Sequence, residues 1–401
     1  MRATTFILLA GVILTSAHAE SQVYERDLPL DHEAIPYWKT TPTGVATRLV
    51  RDVAGGRRTL VFEEGGLSYL RSLLDALEVP VESQSLVFSK NSLQRTSISP
   101  QSPRAIYFND DVSVGFVPGG DVIEIAGSDP LIGAVFYTLR RDPKSGPFFE
   151  RPRICIACHR GAATLGVPGV YVSSVVTTRS GRPEFRLGST VTDHRSPFEQ
   201  RWGGWYVDGA PGGMRHLGNG VKSGPADAST RAMSALEQLL QRPDPSSYPT
   251  TGSDVVALMV LEHQTQWNNL VTRLRWESSI AQHEGRPSDT LAPRVSELVR
   301  YMLFVDEVPL PEPVDASSSF ARSFQARGPF DAHGRSLRAF DLETRLFRYP
   351  LSYMIYSNAF DALPESLRNA VLRELYDAVR EHRDLIEIVR ETKEDLPAFW
   401  R

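Results

Sequence analysis

Cys155-Ile156-Ala157-Cys158-His159 contains both cysteines of the 401-residue chain, with a histidine directly after the second. Two thiols separated by two residues lend themselves to three kinds of chemistry. They can add to the two vinyl groups of one porphyrin while the next imidazole reaches its iron, they can cycle between dithiol and disulfide, or they can supply two of the four ligands of zinc. A dithiol catalyst belongs in a βαβ setting, and zinc needs two further ligands at metal spacing. Neither pattern stands out in the surrounding sequence. Porphyrin attachment is therefore the expectation, with Cys155 and Cys158 as thioethers and His159 as the proximal iron ligand.

The pentapeptide resembles the attachment motif of c-type cytochromes, and the resemblance covers the motif and its immediate surroundings. It implies one haem c per chain. Members of that family place a proline in the loop after the motif, whose carbonyl accepts the other N–H of the proximal imidazole; here Gly166-Val167-Pro168-Gly169 offers Pro168. Such a bond fixes the ring and makes it a better donor. Small cytochromes carry the motif near their start and follow it with helices, whereas here it lies mid-chain between β-like segments. That placement points to a distinct bacterial family of large, exported, single-haem proteins.

The second axial position has several candidates. His216 in Gly212-Gly213-Met214-Arg215-His216-Leu217-Gly218-Asn219 leads, because a glycine-rich loop lets backbone approach a flat cofactor closely. Met214, His194, His263 and Met259 follow, and an open position is the further alternative. Arg195, Arg201 and Arg215 are candidate partners for haem propionates, since guanidinium matches carboxylate with two parallel bonds. Trp202, Trp205 and Tyr206 form an aromatic cluster expected to pack around the porphyrin. His32, His283, His333 and His382 read as isolated surface histidines, and no nucleotide fingerprint or Ser/His/Asp pattern stands out.

Residues 1–19 read as a signal peptide. Arg2 gives the positive start, Phe6 to Leu14 the apolar run and Ala17-His18-Ala19 the small-x-small cleavage site, so the mature chain begins at Glu20. The run is too short to cross a bilayer, so no stable membrane insertion is expected after cleavage. Arg2 is the one charged residue removed, which takes the net charge from −4 to −5. That mild acidity gives no support for nucleic-acid binding. An exported chain normally uses its cysteines for disulfides. With both in the motif, stability must come from packing.

The elements that position the motif read as α+β. Val45, Leu49 and Val53 make an amphipathic helix stopped by Gly55-Gly56, and a leucine stripe from Leu67 to Leu77 makes a second. Short β-rich runs at 85–88, 105–108, 112–117, 122–126 and 134–139, separated by turn residues, predict an antiparallel β meander. A hairpin is expected from Val170–Thr177 returning at Glu184–Arg186, and 193–227 reads as an ordered loop region. Helical patterns occupy 228–241, 253–277 and 293–305. Residues 308–319 read as a linker or strap, and a last helix starts near Pro364. Three regions follow the signal peptide: an N-terminal α+β region at 20–145, a haem-binding region at 146–305 and a helical C-terminal region at 306–401. The functional expectation is an electron-transfer protein meeting a redox partner protein in the periplasm. The alternative is a periplasmic haem enzyme, peroxidase- or oxygenase-like, with an open distal site.

Overall fold

Strand-forming runs separated by Asn, Asp, Gly and Pro at short intervals fold residues 85–150 into an antiparallel meander. Its strands are β1 (Ser85–Val87), β2 (Arg104–Phe108), β3 (Val112–Phe116), β4 (Val122–Asp129), β5 (Gly133–Arg140) and β6 (Phe149–Glu150), in the spatial order β1-β2-β3-β4-β5-β6. The turns follow from side-chain chemistry. Asn109 Oδ1 accepts the N–H groups of Asp111 and Val112 at 3.0 and 2.9 Å, an Asx turn between β2 and β3. The computed structural model describes residues 27–144, 146–223, 236–239 and 241–400. The signal peptide expected at 1–19, with cleavage before Glu20, lies outside the described residues.

Period-two alternation gives the sheet two unlike faces. Ala105, Tyr107, Val114, Phe116, Ile123, Ile125, Val135, Tyr137 and Leu139 are buried against α1 (Val45–Ala54) and α2 (Leu70–Ala76) in a first core. The opposite face is half-buried and carries Arg104, Ile106, Ser113, Glu124, Ala126 and Thr138. After β6 the chain turns through a one-turn helix, α3 (Ile156–His159), and then forms the hairpin β7 (Val172–Val175) and β8 (Ser189–Thr192). The chain returns at Pro183–Glu184 as expected, with Thr177 bridging Pro183 and the Glu184 N–H donating to Val176 O, and after a 3-10 turn at Phe185–Leu187 the regular return strand begins at Ser189. The first part of the helix expected at 228–241 lies outside the described residues. Its described part is not helical: Leu236–Gln238 form β10, paired with β9 (Gly220–Lys222).

The C-terminal half is helical, so the chain is α+β. Asp254 caps α4 (Val255–His283) by accepting the N–H groups of Val256 and Ala257. This 29-residue helix is about 44 Å long. It is buried nearly all round because it serves both cores: its first half joins a second core, while Trp276 and Ile280 join the first. That second core is completed by α5 (Ala292–Met302), α6 (Ser319–Ala326), α7 (Asn358–Asp361), α8 (Glu365–Val379) and α9 (Arg383–Thr392). Residues 308–314 act as a strap, with N–H groups of Val308, Leu310 and Val314 donating to the carbonyls of His194, Thr344 and Leu342. Among the described residues, no helix is long and apolar enough to cross a membrane.

Candidate functional site

The spacing of the pentapeptide becomes a surface once it is helical. Positions three and four apart share a face, so Cys155, Cys158 and His159 lie together on one side of a short turn that starts at Pro152. Ile156 and Ala157 fall on the other side, where with Leu30, Trp38, Arg153 and Arg160 they line an open cleft of ≈ 440 Å³. Both cysteines are free thiols; Cys155 is half-buried and Cys158 exposed. Burial pushes the Cys155 thiol up to about 11. A dithiol catalyst needs the reverse, a thiol lowered toward neutrality, and the antiparallel sheet beside it is not a βαβ unit. A zinc ion held by side chains alone needs a converging ligand set. Among the described residues, no group of three or more His, Cys, Asp or Glu is so arranged.

His159 is braced at both ends of one short loop. Its Nδ1 lies 3.0 Å from the carbonyl oxygen of Gly169, and the Gly169 N–H donates to the His159 carbonyl at 2.9 Å. An Nδ1–H donated to that carbonyl leaves the lone pair on Nε2, the tautomer that coordinates iron. The expected acceptor, Pro168, is displaced by one residue, because its carbonyl is taken by the Ala134 N–H of β5 at 3.0 Å. Gly169 is required for its lack of a side chain: a Cβ there would overlap Asn269 Oδ1 on α4. The Asn269 amide donates to Val170 O, and Arg273 Nη1 to Leu165 O, so α4 clamps the loop. The His159 ring lies 4.6 Å from Phe136 and 6.0 Å from Tyr171, centroid to centroid. Burial holds its pKa below the usual imidazole value, which keeps it neutral and able to coordinate.

The other expected site residues lie elsewhere. His194 and His263 meet each other, Nδ1 to Nδ1 at 3.0 Å, and His263 Nε2 is 2.8 Å from Ser352 Oγ. His263 stacks on Tyr301 and Phe304 in the second core. Met214 and Met259 are core side chains there. His216 sets its ring edge against Trp202, in a loop whose Tyr206 N–H donates to Leu86 O of β1 and whose Gly204 carbonyl accepts from Phe88 and Ser89 just beyond it. That is the sheet edge opposite the motif, and β1 and β5 are four strand spacings, about 19 Å, apart. Arg195 forks onto Asp193, and Arg201 pairs with Glu262 at 3.1 Å, so neighbouring acids neutralise both. Arg215 is exposed, and Trp202 fills the second core. His32 and His283 are not isolated but stand edge to face, 5.4 Å apart.

What sequence reasoning missed is the half-buried sheet face beside His159. Phe136 belongs to it, as do Arg104 and Glu124, which pair at 3.1 Å. Their only signal was a polar phase in the strand alternation, ordinary for a strand with one wet face.

The buried histidine pair makes stability depend on pH. Burial holds both His194 and His263 well below the usual value, with Arg195, Arg201 and Arg345 adding to it at His194 and the neighbouring His194 at His263, so both stay neutral in the fold. The unfolded chain takes up those protons below about pH 6.5, and the fold loses about 1.4 kcal/mol per pH unit per histidine. Glu262 opposes one of them: burial pushes its carboxyl up to about 7, so acidification stabilises the fold as that group takes up its proton. Within this cluster, two losses minus one gain leave about 1.4 kcal/mol lost per pH unit below about pH 6.5. A His194→Gln variant lacks one loss. Its urea-unfolding curve is expected to converge on that of the wild type as pH falls from 6.5 to 5.5; parallel curves would remove His194 from the account.

Comparison with known protein families, curated proteins and solved structures finds no match to the chain.

Proposed function

We propose that this chain is an exported c-type haem protein, with one haem c held through thioethers from Cys155 and Cys158 and His159 as the proximal ligand. The observation that carries the reading is the His159–Gly169 bond, which leaves Nε2 as the coordinating nitrogen of an imidazole sharing one helical face with both thiols. When bound, haem would supply an iron able to change oxidation state and to take an exogenous ligand. The protein's part is to hold the imidazole neutral and oriented, and to tie it through Gly169 to α4.

His194, His263, Met214 and Met259 are packed in or against the second core and His216 lies against Trp202, which supports an open second axial position and hence a periplasmic haem enzyme, peroxidase- or oxygenase-like. A second reading, electron transfer to a periplasmic redox partner protein, is favoured by the exposure of Cys158, which sets the attachment point at the surface. Nucleic acid and membrane insertion have no place in either.

The test uses the purified mature protein. Denatured protein should keep its haem on a gel, and the ferric form should be high-spin and bind cyanide readily. Haem that extracts into acidic organic solvent overturns covalent attachment. A low-spin ferric spectrum with two nitrogen ligands overturns the open position and returns the protein to electron transfer.

A further inference from the structure

Trp38 gathers two guanidinium groups. The central carbon of Arg153 lies 4.8 Å from its ring centroid and that of Arg151 5.2 Å, so the two charges are no further than about 10 Å apart. That is about one screening length at 0.1 M salt, and like charges so placed repel. Contact with an indole face attracts each guanidinium but neutralises neither. Among the described residues, neither arginine forms an ion pair. Glu150, next in sequence, is taken by Arg140 at 3.1 Å, and Asp27 is taken by Arg160 at 3.3 Å. The sequence thus leaves two positive charges together on a chain whose net charge is negative.

Arg153 and Trp38 line the open cleft of ≈ 440 Å³ on the face of α3 away from the thiols. A volume of about 300–1,000 Å³ is usual for a small-molecule site. Leu30, Ile156 and Ala157 give the cleft an apolar lining, and Arg160, held by Asp27, borders it. The walls are fixed by bonds to the fold. The Tyr37 hydroxyl donates to Ala134 O of β5 at 2.7 Å, and the Tyr37 N–H donates to Leu30 O at 2.9 Å. Trp38 stands edge to face on Tyr37 at 4.9 Å, and Ile156 belongs to the first core. Walls held in place lose little freedom when a ligand enters. An apolar body with one anionic end fits such a lining. Guanidinium matches carboxylate with two parallel bonds, and both guanidinium and indole stack on aromatic rings.

We propose that this cleft binds a small aromatic carboxylate, with its ring against Trp38, Ile156 and Ala157 and its carboxylate on Arg153. Arg151 adds to the attraction through its charge. The site uses neither the thiols nor His159, so the inference stands apart from the covalent-haem reading.

The test is calorimetric titration of the purified mature protein with naphthoate and with naphthalenemethanol, which has the same rings and no charge. Naphthoate should bind about tenfold or more tightly than the alcohol, the contribution of a charge-assisted hydrogen bond. Arg153→Gln should remove that difference while leaving the alcohol unchanged; Arg153 is exposed, so the substitution spares the core. Ala157→Phe, at an exposed position, sets a ring into the cleft and should weaken both ligands. Arg182→Gln, exposed in the β7–β8 hairpin, should change neither. Naphthoate that does not bind, binds no better than the alcohol, or is indifferent to Arg153→Gln overturns the proposal. So does an equal loss in Arg182→Gln, which would mark general attraction of anions to surface arginine.

Discussion

A Cys155→Ala, Cys158→Ala double variant is expected to fall from one covalently held haem per chain to none. The two thiols are the only cysteines, so no other side chain in the sequence can form a thioether. Neither is in a disulfide, so their removal takes no cross-link from the fold. Cys158 is exposed and Cys155 half-buried at the edge of the first core, which limits the packing lost on truncation. The far-ultraviolet circular dichroism should therefore stay close to that of wild type while the haem stain disappears. Each single variant should keep haem through the remaining thioether in reduced amount. Retention of stain by the double variant would sink the attachment chemistry altogether.

Arg201→Met is expected to cost about 3–5 kcal/mol, because it leaves a buried carboxylate without its counter-charge. Arg201 and Glu262 have 3% and 0% of their side-chain surface exposed. Arg201 also donates to the carbonyls of Ser196 and His194, so truncation takes three partners at once. Replacing both charges, Arg201→Met with Glu262→Leu, should recover much of the loss, since an apolar pair of similar volume removes the desolvation cost. Urea-unfolding midpoints at pH 7.5 measure both. A single variant within 1 kcal/mol of wild type would mean that Glu262 takes up a proton rather than standing as an unpaired buried charge.

The sheet was legible because its strands alternate and its turns use residues with a chemical reason to turn, as Asn109 does. The helix at Val255–His283 was legible from its apolar run. The short helices at Ser319–Ala326 and Arg383–Thr392 were missed; each is too brief for its periodicity to stand out. Leu236–Gln238 carried a helical composition, but pairing with Gly220–Lys222 overrode it.

In the site, the thiols and His159 could be read directly, since their chemistry lies in local spacing. The acceptor for His159 was misplaced by one residue, because which carbonyl faces a ring depends on how Pro168 is held by β5. The surroundings of the distal candidates depend on long-range packing: His194 and His263 lie 69 residues apart and bond only once α4 packs on the loop. The arginines carried a local warning, with Asp193 two residues before Arg195, that an acid already claimed the charge.

The meander has a consequence for the order of events. Each strand pairs with its neighbour in sequence, so the sheet can form once residue 150 has been made, while α4 follows about a hundred residues later. Contacts of such short range form early, and those that close long loops form late. Between these moments Cys155 and Cys158 stand on a formed sheet, while the loop carrying Gly169 still lacks the clamp from Asn269 and Arg273. In the proposed haem protein, that interval leaves both thiols open to reaction with the porphyrin vinyl groups. Docking of α4 then ends it by locking the imidazole in place.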